Sequence, residues 1–312
     1  MVTKEYRGVL EAALGLTGLV LRNGKTVNIG RTGNIKEVIN VNYIITNPQR
    51  RVLNTDGFKQ YRLWAQSEVM TEMLGINPPL MEYYTKDPNI KSFMQSFHRG
   101  DNRHNYIYGE RWHNNQAFQR IIERLKKDRY SRQAVMNIYD SSVDLDNSEW
   151  NIPCTITHQF LIRPDPDYAY DRMHMIVYLR SNDLFTGWKY DMFLNCFLLE
   201  AFAGFMNCDL GNLYVNTGSL NVYEKDIVAL EQWYNKISSE SMETIADIDI
   251  SHSEIPFGMP FNELYNNLWL VKSIEEETRY THKRTTYDIG SLHDYFFEWA
   301  HEYERYNVRR GK

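Results

Sequence analysis

The stretch Asn151-Ile152-Pro153-Cys154-Thr155, with Arg180-Ser181-Asn182-Asp183 beginning 26 residues after the cysteine, decides how this sequence is interpreted. Gly187 and Asp191 follow, just before an apolar segment. A cysteine thiolate is a strong nucleophile, but a free thiol has a pKa of about 8.5 and needs nearby positive charge to ionise. Arg180 can supply that charge and can also bind a phosphate through its guanidinium. The stretch therefore predicts covalent chemistry by Cys154 on a phosphorylated substrate.

Around this stretch, β-like runs are mixed with longer segments that have helical periodicity. Alternating apolar residues predict strands, and apolar residues on one stripe predict helices. Residues 6–22 fit either element. Because the order shows no βαβ alternation, the pattern predicts an α+β fold rather than a doubly wound sheet. Strands are predicted at 36–46, 133–139, 155–162, 174–180 and 211–223, and helices at 58–74, 115–127, 190–206 and 223–237.

The C-terminal part of the chain, 238–312, is aromatic and charged, with predicted helices at 260–276 and 291–305. Its large aromatic side chains need burial, which predicts packing on a core rather than a disordered tail. We therefore expect a catalytic domain at 1–237 and a helical extension at 238–312. The aromatic residues concerned are Trp269, Phe296, Phe297 and Trp299.

Composition narrows the classes of function. The chain has 312 residues, 43% of them hydrophobic, which suffices for one large domain with a substantial core. A net charge of −5 argues against binding a nucleic-acid polymer through a global basic surface. Three cysteines do not make a disulfide framework, and without a CxxC pair or HExxH motif we expect no metal. With neither a signal peptide nor an apolar run of about 18 residues, we expect a cytoplasmic protein without a membrane segment.

The order and spacing of these residues resemble the thymidylate synthase superfamily, from about residue 30 to about residue 230. Pro153-Cys154 and Gln159 match the strand of the family's nucleophile, and residues 180–183 match the following strand. The resemblance implies that Arg180 and Ser181 bind the phosphate of a pyrimidine nucleotide, and that Asp183 and Gln159 lie near its base and sugar. It also implies a mixed sheet flanked by helices, in an obligate homodimer packed sheet to sheet.

Three motifs N-terminal to the nucleophile fit the same resemblance. Arg31-Thr32-Gly33 is similar to the family's phosphate loop, which implies that Arg31 binds phosphate. Glu68, seven residues before Gly75, matches the catalytic glutamate that relays protons through ordered water. Tyr108 begins a run, 108–112, similar to the family's YGxxW motif. The resemblance implies that Tyr108 assists removal of the proton from C5 of the pyrimidine.

Several positions depart from the family pattern. In the family, one segment contributes two arginines to the phosphate site of the other subunit of the dimer. Here Arg132 of the partner subunit matches the first arginine and would reach the phosphate, but Gln133 replaces the second. Tyr223 matches the sugar-binding tyrosine, whereas Asn221 stands where the family usually has a histidine that contacts the sugar. The family's folate-stacking tryptophan is also absent, and we expect a phenylalanine at 93 or 97 to substitute for it.

Asp191 stands where the family recognises uracil with an asparagine. Uracil presents an acceptor, O4, and a donor, N3–H, and a neutral amide matches both. Cytosine presents the reverse, and a carboxyl group accepts from its N4 and can share a proton with its N3. Within the superfamily, an aspartate here is the mark of deoxycytidylate hydroxymethylases. Asp191 is thus a candidate for both base selection and catalysis, and the alternative is an acidic residue that favours a helix dipole.

The resemblance implies a dCMP 5-hydroxymethylase in which Cys154 adds to the base and 5,10-methylenetetrahydrofolate is the cosubstrate. Residues 306–312 do not resemble the apolar tail that closes the site of thymidylate synthases, which is consistent with hydration of the intermediate. Three alternatives stay open: CMP as the substrate, thymidylate synthesis from dUMP, and a non-catalytic nucleotide- or RNA-binding homologue. Hydroxymethylated cytosine also suggests a phage-encoded protein in its host's cytoplasm, or nucleoside antibiotic synthesis.

Overall fold

A seven-stranded mixed sheet lies at the centre of the computed structural model, which describes residues 4–30, 33–84, 104, 107–145, 152–240, 255 and 258–311. Its strands follow the order β1-β3-β9-β8-β7-β6, with β2 beside β3, while β4 and β5 pair separately. The strands are β1 (Lys4–Tyr6), β2 (Lys25–Asn28), β3 (Asn34–Ile45), β4 (Asn54–Thr55), β5 (Phe58–Lys59), β6 (Val135–Asn137), β7 (Thr155–Arg163), β8 (Arg172–Asp183) and β9 (Asp209–Tyr223).

Helices flank this sheet, and together with the 3₁₀ turns Leu80–Tyr83 and Ile289–Ser291 they complete the described elements. The mixture of sheet and helices confirms the predicted α+β class. The helices are α1 (Val9–Asn23), α2 (Arg62–Leu74), α3 (Tyr108–Asn114), α4 (Ala117–Lys127), α5 (Ser141–Asp144), α6 (Trp188–Phe205), α7 (Glu224–Ser238), α8 (Phe261–Thr281) and α9 (Asp294–Arg310).

The direction of the central strands determines where the candidate site lies. β8 runs parallel to β9, while β7 runs antiparallel to β8, and β3 runs antiparallel to β9. The C-terminal ends of β8 and β9 and the N-terminal ends of β7 and β3 therefore lie at the same end of the sheet. Helix α6 connects β8 to the parallel β9, which makes a βαβ crossover that the sequence pattern did not indicate.

One apolar core fills the space between the helices and one face of the sheet. α6 is apolar on almost every side, and it is buried along most of its length because it lies between the sheet and other helices. α4 buries only the predicted stripe, so the amphipathic pattern there is confirmed. The buried residues of that stripe are Phe118, Ile121, Ile122 and Leu125.

Two expectations about individual elements are wrong. The helix predicted at 58–74 begins only at Arg62, because the preceding residues form the small strand β5 and its turn, although it ends as predicted at Gly75 in the left-handed conformation (φ +64°). In the C-terminal helices Phe296 and Trp299 are buried, but Trp269 and Phe297 are 41% and 37% exposed. These two side chains lie on outward faces, so their size alone was a poor guide to burial.

Polar contacts as well as apolar ones join α9 to the rest of the fold. The buried Arg51 forms a 2.8 Å ion pair with Glu200 of α6 and donates to the hydroxyl of Tyr295 at 2.9 Å. The hydroxyl of Tyr303 lies 2.8 Å from Oγ of Ser67, the neighbour of Glu68. α9 thus supports the helix that carries Glu68. Within the described ranges, no helix combines the length and apolarity needed to cross a bilayer.

Candidate active site

The sheet brings the predicted nucleophile and the predicted substrate-binding residues to one of its ends. β7 begins directly after Cys154, and β8 ends at Asp183. Between the parallel strands β8 and β9, Ser181 is in register with Ser219 and Asp183 with Asn221. Residues far apart in the sequence are therefore neighbours here because four strand termini meet.

Arg180 contacts the segment that carries Cys154. Its Nε donates to the carbonyl of Pro153 at 2.8 Å, and its Nη2 donates to the carbonyl of Ile152 at 2.7 Å. The same Nη2 lies 3.8 Å from the Cys154 sulfur. Arg180 itself is exposed. The side chain thus fixes the loop before the nucleophile and leaves a guanidinium at the surface beside the thiol, as an anion-binding role requires.

The pKa of Cys154 is raised above its usual value, because burial opposes the thiolate more strongly than Arg180 favours it. The charges of Asp191 and Asp183 raise it further. Arg180 thus acts in the predicted direction without making a thiolate by itself. In the protein alone the thiol keeps its proton at neutral pH, so covalent chemistry needs a group that accepts that proton.

Glu68 and Tyr108 belong to the same electrostatic cluster. Burial raises the pKa of both groups, and the charge of Asp191 is the next cause for each. The backbone N–H of Thr155 donates to the Tyr108 hydroxyl at 3.4 Å, which places that hydroxyl beside the residue after Cys154. Acids whose pKa values are shifted in this way are typical of sites of proton transfer.

Asp191 lies in the first turn of α6 and is partly exposed. Its carboxyl oxygen Oδ2 accepts a 2.8 Å hydrogen bond from Nδ2 of Asn182. Burial raises the pKa of Asp191 to about 7 against the lowering effect of Asn182. A carboxyl group with this pKa can hold or release a proton near neutral pH, which the proposed contact with cytosine N3 requires.

Ser181 and Asn221 are hydrogen bonded across the strands β8 and β9. Nδ2 of the buried Asn221 donates to Oγ of Ser181 at 3.1 Å and to the carbonyl of Ser219 at 3.2 Å. The residue that replaces the family's histidine is therefore held against a predicted phosphate ligand. Tyr223 is the last residue of β9, at the same end of the sheet.

Not every predicted site residue joins this cluster. Nε2 of Gln159 donates to the carbonyl of Arg132 at 2.8 Å, and no described contact links Gln159 to Cys154 or Asp191. Arg132 itself is exposed on the loop before β6. Arg31, as well as the phenylalanines at 93 and 97, lies outside the described residues.

Two buried polar residues in the cluster had no predicted role. Glu72 accepts a 2.6 Å hydrogen bond from the backbone N–H of Gly109, next to Tyr108, and burial raises its pKa to about 8. It lies four residues after Glu68, a spacing that puts both on one face of a helix and could have revealed it. No such signal marked Asn182. Burial alternates along β8 up to Arg180 and then shifts by one residue, which buries Asn182.

Comparison with known proteins identifies the family of this chain. The family model described as thymidylate synthase matches residues 43–255. The chain belongs to the thymidylate synthase family. Proteins of this family transfer a one-carbon unit to a pyrimidine nucleotide and generally use methylenetetrahydrofolate as the cosubstrate, so this chain is a thymidylate synthase-like one-carbon transferase.

Three relatives show how far the similarity extends. A protein of Methanothermobacter marburgensis named "putative thymidylate synthase" is 25% identical over 220 residues, 69% of this chain and 90% of the relative. A protein of the same name in Methanosarcina acetivorans is 24% identical over 225 residues, 71% and 85% of the two chains. The deoxyuridylate hydroxymethyltransferase of Bacillus phage SP01 is 29% identical over 146 residues, which cover 46% of this chain but 35% of the phage protein.

Proposed function

We propose that this protein is a deoxycytidylate 5-hydroxymethylase, which transfers the one-carbon unit of 5,10-methylenetetrahydrofolate to C5 of dCMP. The observation that carries the proposal is Asp191: a carboxyl group with a pKa near 7 lies in one electrostatic cluster with Cys154, Glu68 and Tyr108, and the resemblance gives this position the selection of the base. A carboxyl group complements the amino edge of cytosine better than the amide edge of uracil.

The proposed reaction begins at Cys154. Its thiol gives its proton to a water molecule, its sulfur forms a bond to C6 of the base, and the electron pair of the C5–C6 double bond moves away from C6 and makes C5 nucleophilic. C5 bonds to the one-carbon unit that the folate supplies, and the C5 proton then leaves through Tyr108 and a water held by Glu68. Loss of tetrahydrofolate leaves an exocyclic methylene group, water adds to it, and the C6–S bond breaks to release 5-hydroxymethyl-dCMP.

Asp191 would stabilise the first step of this sequence. When sulfur adds to C6, negative charge develops towards N3, and protonation of N3 neutralises it. The proton that Asp191 holds near neutral pH is available for this transfer. The resulting pair of carboxylate and protonated N3 is charge-assisted and is stronger in the transition state than in the ground state, which is the condition for catalysis.

The folate would need an aromatic surface for its flat ring and a cation for its carboxylate tail. Beside Asp183, the rings of Phe58 and Phe185 stack with centroids 5.6 Å apart, and Nζ of Lys189 lies 5.5 Å from the centroid of Phe185. Burial lowers the pKa of Lys189 to about 8, so the side chain still carries charge at neutral pH. We infer that Phe185 and Lys189 contact the folate.

The phosphate would be bound by Arg180 and Ser181, with Arg31 and with Arg132 of the partner subunit. The last assignment requires the homodimer, and the sheet supports such an assembly. The face opposite the helices carries exposed apolar side chains, among them Ile39, Val135 and Tyr178. A self-complementary contact of this face would cover those side chains.

A second candidate, hydroxymethylation of dUMP, is favoured by the name of the phage relative. Both candidates share the chemistry at C5 and differ in the base. A single experiment separates them: the purified protein is incubated with methylenetetrahydrofolate and with dCMP, CMP or dUMP, and the products are analysed by mass spectrometry. The expected result is addition of CH₂O to dCMP, and no product with the Cys154→Ala variant, which keeps nucleotide binding.

Other outcomes would overturn parts of the proposal. Addition of CH₂O to CMP alone would change the sugar assignment, and addition to dUMP alone would contradict the role of Asp191. Addition of CH₂ to dUMP with formation of dihydrofolate would identify a thymidylate synthase. Nucleotide binding without any product, unchanged in Cys154→Ala, would indicate a non-catalytic homologue.

A further inference from the structure

Asn182 has a hydrogen-bonding arrangement that the proposed reaction does not yet use. It is 2% exposed, and its Nδ2 donates to Oδ2 of Asp191 at 2.8 Å. The carbonyl oxygen Oδ1 of the same amide is also buried, and it has no hydrogen-bond partner among the described residues. Buried carbonyl groups are nearly always paired, so an acceptor left without a partner beside a predicted active site indicates a donor from a ligand or a water.

The bond from Asn182 also determines where a proton on Asp191 would reside. An oxygen that accepts a hydrogen bond from an amide behaves as the carbonyl oxygen of a neutral carboxyl group. With Oδ2 engaged by Asn182, the proton of neutral Asp191 is placed on Oδ1. The carboxyl group then presents an acceptor and a donor side by side, in an order set by its neighbour.

An exocyclic amino group next to a ring nitrogen acceptor complements this arrangement. The amino nitrogen carries two protons and needs two acceptors, and the ring nitrogen needs one donor. Asp191 can accept one amino proton and donate to the ring nitrogen, and Oδ1 of Asn182 can accept the second amino proton. A carbonyl group at the same ring position has no proton to give, so it would leave Oδ1 of Asn182 without a partner and set its own lone pairs against Oδ2 of Asp191.

We propose that Asn182 is a specificity-determining residue that, together with Asp191, recognises the 4-amino group of a cytosine nucleotide. The proposal rests on the proposed function, since it requires Asp191 to face the base. It goes further in that selection would be shared by two residues: Asn182 orients the carboxyl group of Asp191 and supplies the second acceptor. Replacing Asn182 should therefore affect cytosine and uracil nucleotides differently.

The test compares Asn182→Ala with Asn195→Ala. Asn195 is a matched control because its Nδ2 also bonds residue 191, at 2.7 Å, but to the backbone carbonyl and not to the carboxyl group. We expect Asn182→Ala to lower kcat/KM for dCMP by about 10- to 100-fold and to leave that for dUMP nearly unchanged. Asn195→Ala should lower both to the same extent, since it affects the position of α6 and not the base-selecting edge.

A pH profile gives a second, independent measurement. The hydrogen bond from Asn182 lowers the pKa of Asp191, so its loss should shift the corresponding limb of the kcat/KM profile for dCMP to higher pH. The variant Asn182→Asp keeps the size of the side chain and removes the donor, and it should shift that limb in the same direction. If Asn182→Ala does not fold, Asn182→Asp provides the same comparison of nucleotides.

The outcomes distinguish this inference from the proposed function. If the wild-type protein prefers dCMP and Asn182 variants lose activity equally with dCMP and dUMP, Asn182 is only structural and the inference is overturned while the function stands. If the wild-type protein converts dUMP and not cytosine nucleotides, both the function and the inference fall. Selective loss with dCMP and an upward shift of the pH limb would support the inference.

Discussion

At residue 191, the exchange of one carboxyl oxygen for an amide nitrogen would change which base edge the site complements. Asp191 presents oxygens alone, with one proton near neutral pH, whereas an asparagine would present a fixed donor and a fixed acceptor. In that variant the amide of Asn182 would turn over, so that its Oδ1 accepts from an NH₂ group in the place of Oδ2, and the second proton of that NH₂ group would face the 4-position of the base. That arrangement complements O4 of uracil.

We therefore predict that Asp191→Asn shifts nucleotide preference towards dUMP. The ratio of kcat/KM for dUMP to that for dCMP should rise by about 100-fold or more, since buried groups left unpaired discriminate strongly. The measurement is product formation with each nucleotide in separate reactions. Asp183→Asn is the control, because Asp183 is a nearby carboxyl whose pKa burial raises to about 6. It should lower activity without exchanging the preference, and an unchanged ratio in Asp191→Asn would contradict the assignment.

Part of this site could be predicted from the sequence, because some residues are recognisable by type and spacing. Cys154, Arg180 and Asp191 lie in two adjacent segments, and the fold does bring the first two within 3.8 Å. Asn182 could not be predicted, because its burial depends on a change of phase at the end of β8. The raised pKa of Cys154 could not be predicted from the sequence either, since the burial that opposes the pKa-lowering effect of Arg180 exists only in the folded chain.

At the scale of elements, the contact between α2 and α3 positions Tyr108. Glu72 of α2 accepts the 2.6 Å hydrogen bond from the N–H of Gly109 at the start of α3. The two helices approach so closely that a Cβ at Gly109 would clash with the carbonyl oxygen of Glu72. Glycine is therefore required in the run 108–112 for packing. The short helix and its tyrosine are held by a buried acid of α2.

The charge of Glu72 should make stability depend on pH. Burial raises the pKa of Glu72 from 4.5 to about 8, so the folded protein binds this proton more tightly than the unfolded chain. The contribution of Glu72 to stability is complete below about pH 4.5 and is lost as the pH rises through about 8. In Glu72→Gln the acceptor for Gly109 remains but the titration is absent.

We predict that Glu72→Gln gains stability relative to the wild-type protein as the pH rises from about 5 to about 9, by about 2–4 kcal/mol. Urea unfolding at a series of pH values measures this difference. The exposed Glu123 on α4 supplies the control, since Glu123→Gln removes the same charge from a solvated position. A difference that is constant across this pH range would show that Glu72 is already ionised in the folded protein.

The positions of most helices and strands follow from periodicity, because each buries one face against the same core. The amphipathic α4 and the part of β8 up to Arg180 are examples in which burial has the predicted period. The start of α2 could not be predicted, because β5 is stabilised by pairing with β4 and not by a pattern of its own. The crossover of α6 between parallel strands was also not evident, since periodicity identifies elements and not their neighbours.

At the scale of the whole molecule, the sheet has two unequal faces. The described helices and one face share a single apolar core, whereas the other face exposes Ile39 to 71% together with Val135 and Tyr178. The loop that carries Arg132 lies directly before β6, at the edge of this sheet. Pairing of two such faces would bring each Arg132 towards the second subunit, and the proposed role of Arg132 can be tested through that geometry.

We predict that two inactive variants restore activity when their subunits are mixed. Cys154→Ala lacks the nucleophile, and Arg132→Ala lacks the phosphate ligand that it would lend to its partner. In a mixed dimer, the subunit that keeps Cys154 would receive Arg132 from the other, so equal mixing should restore about a quarter of the wild-type sites by random pairing. The measurement is dCMP turnover after denaturation and joint refolding.

As a control, the double variant mixed with the wild-type protein should form inactive mixed dimers, because the intact Cys154 then lacks its Arg132. Absence of restoration, with mixed dimers present by mass analysis, would place Arg132 in its own subunit's site or outside any site.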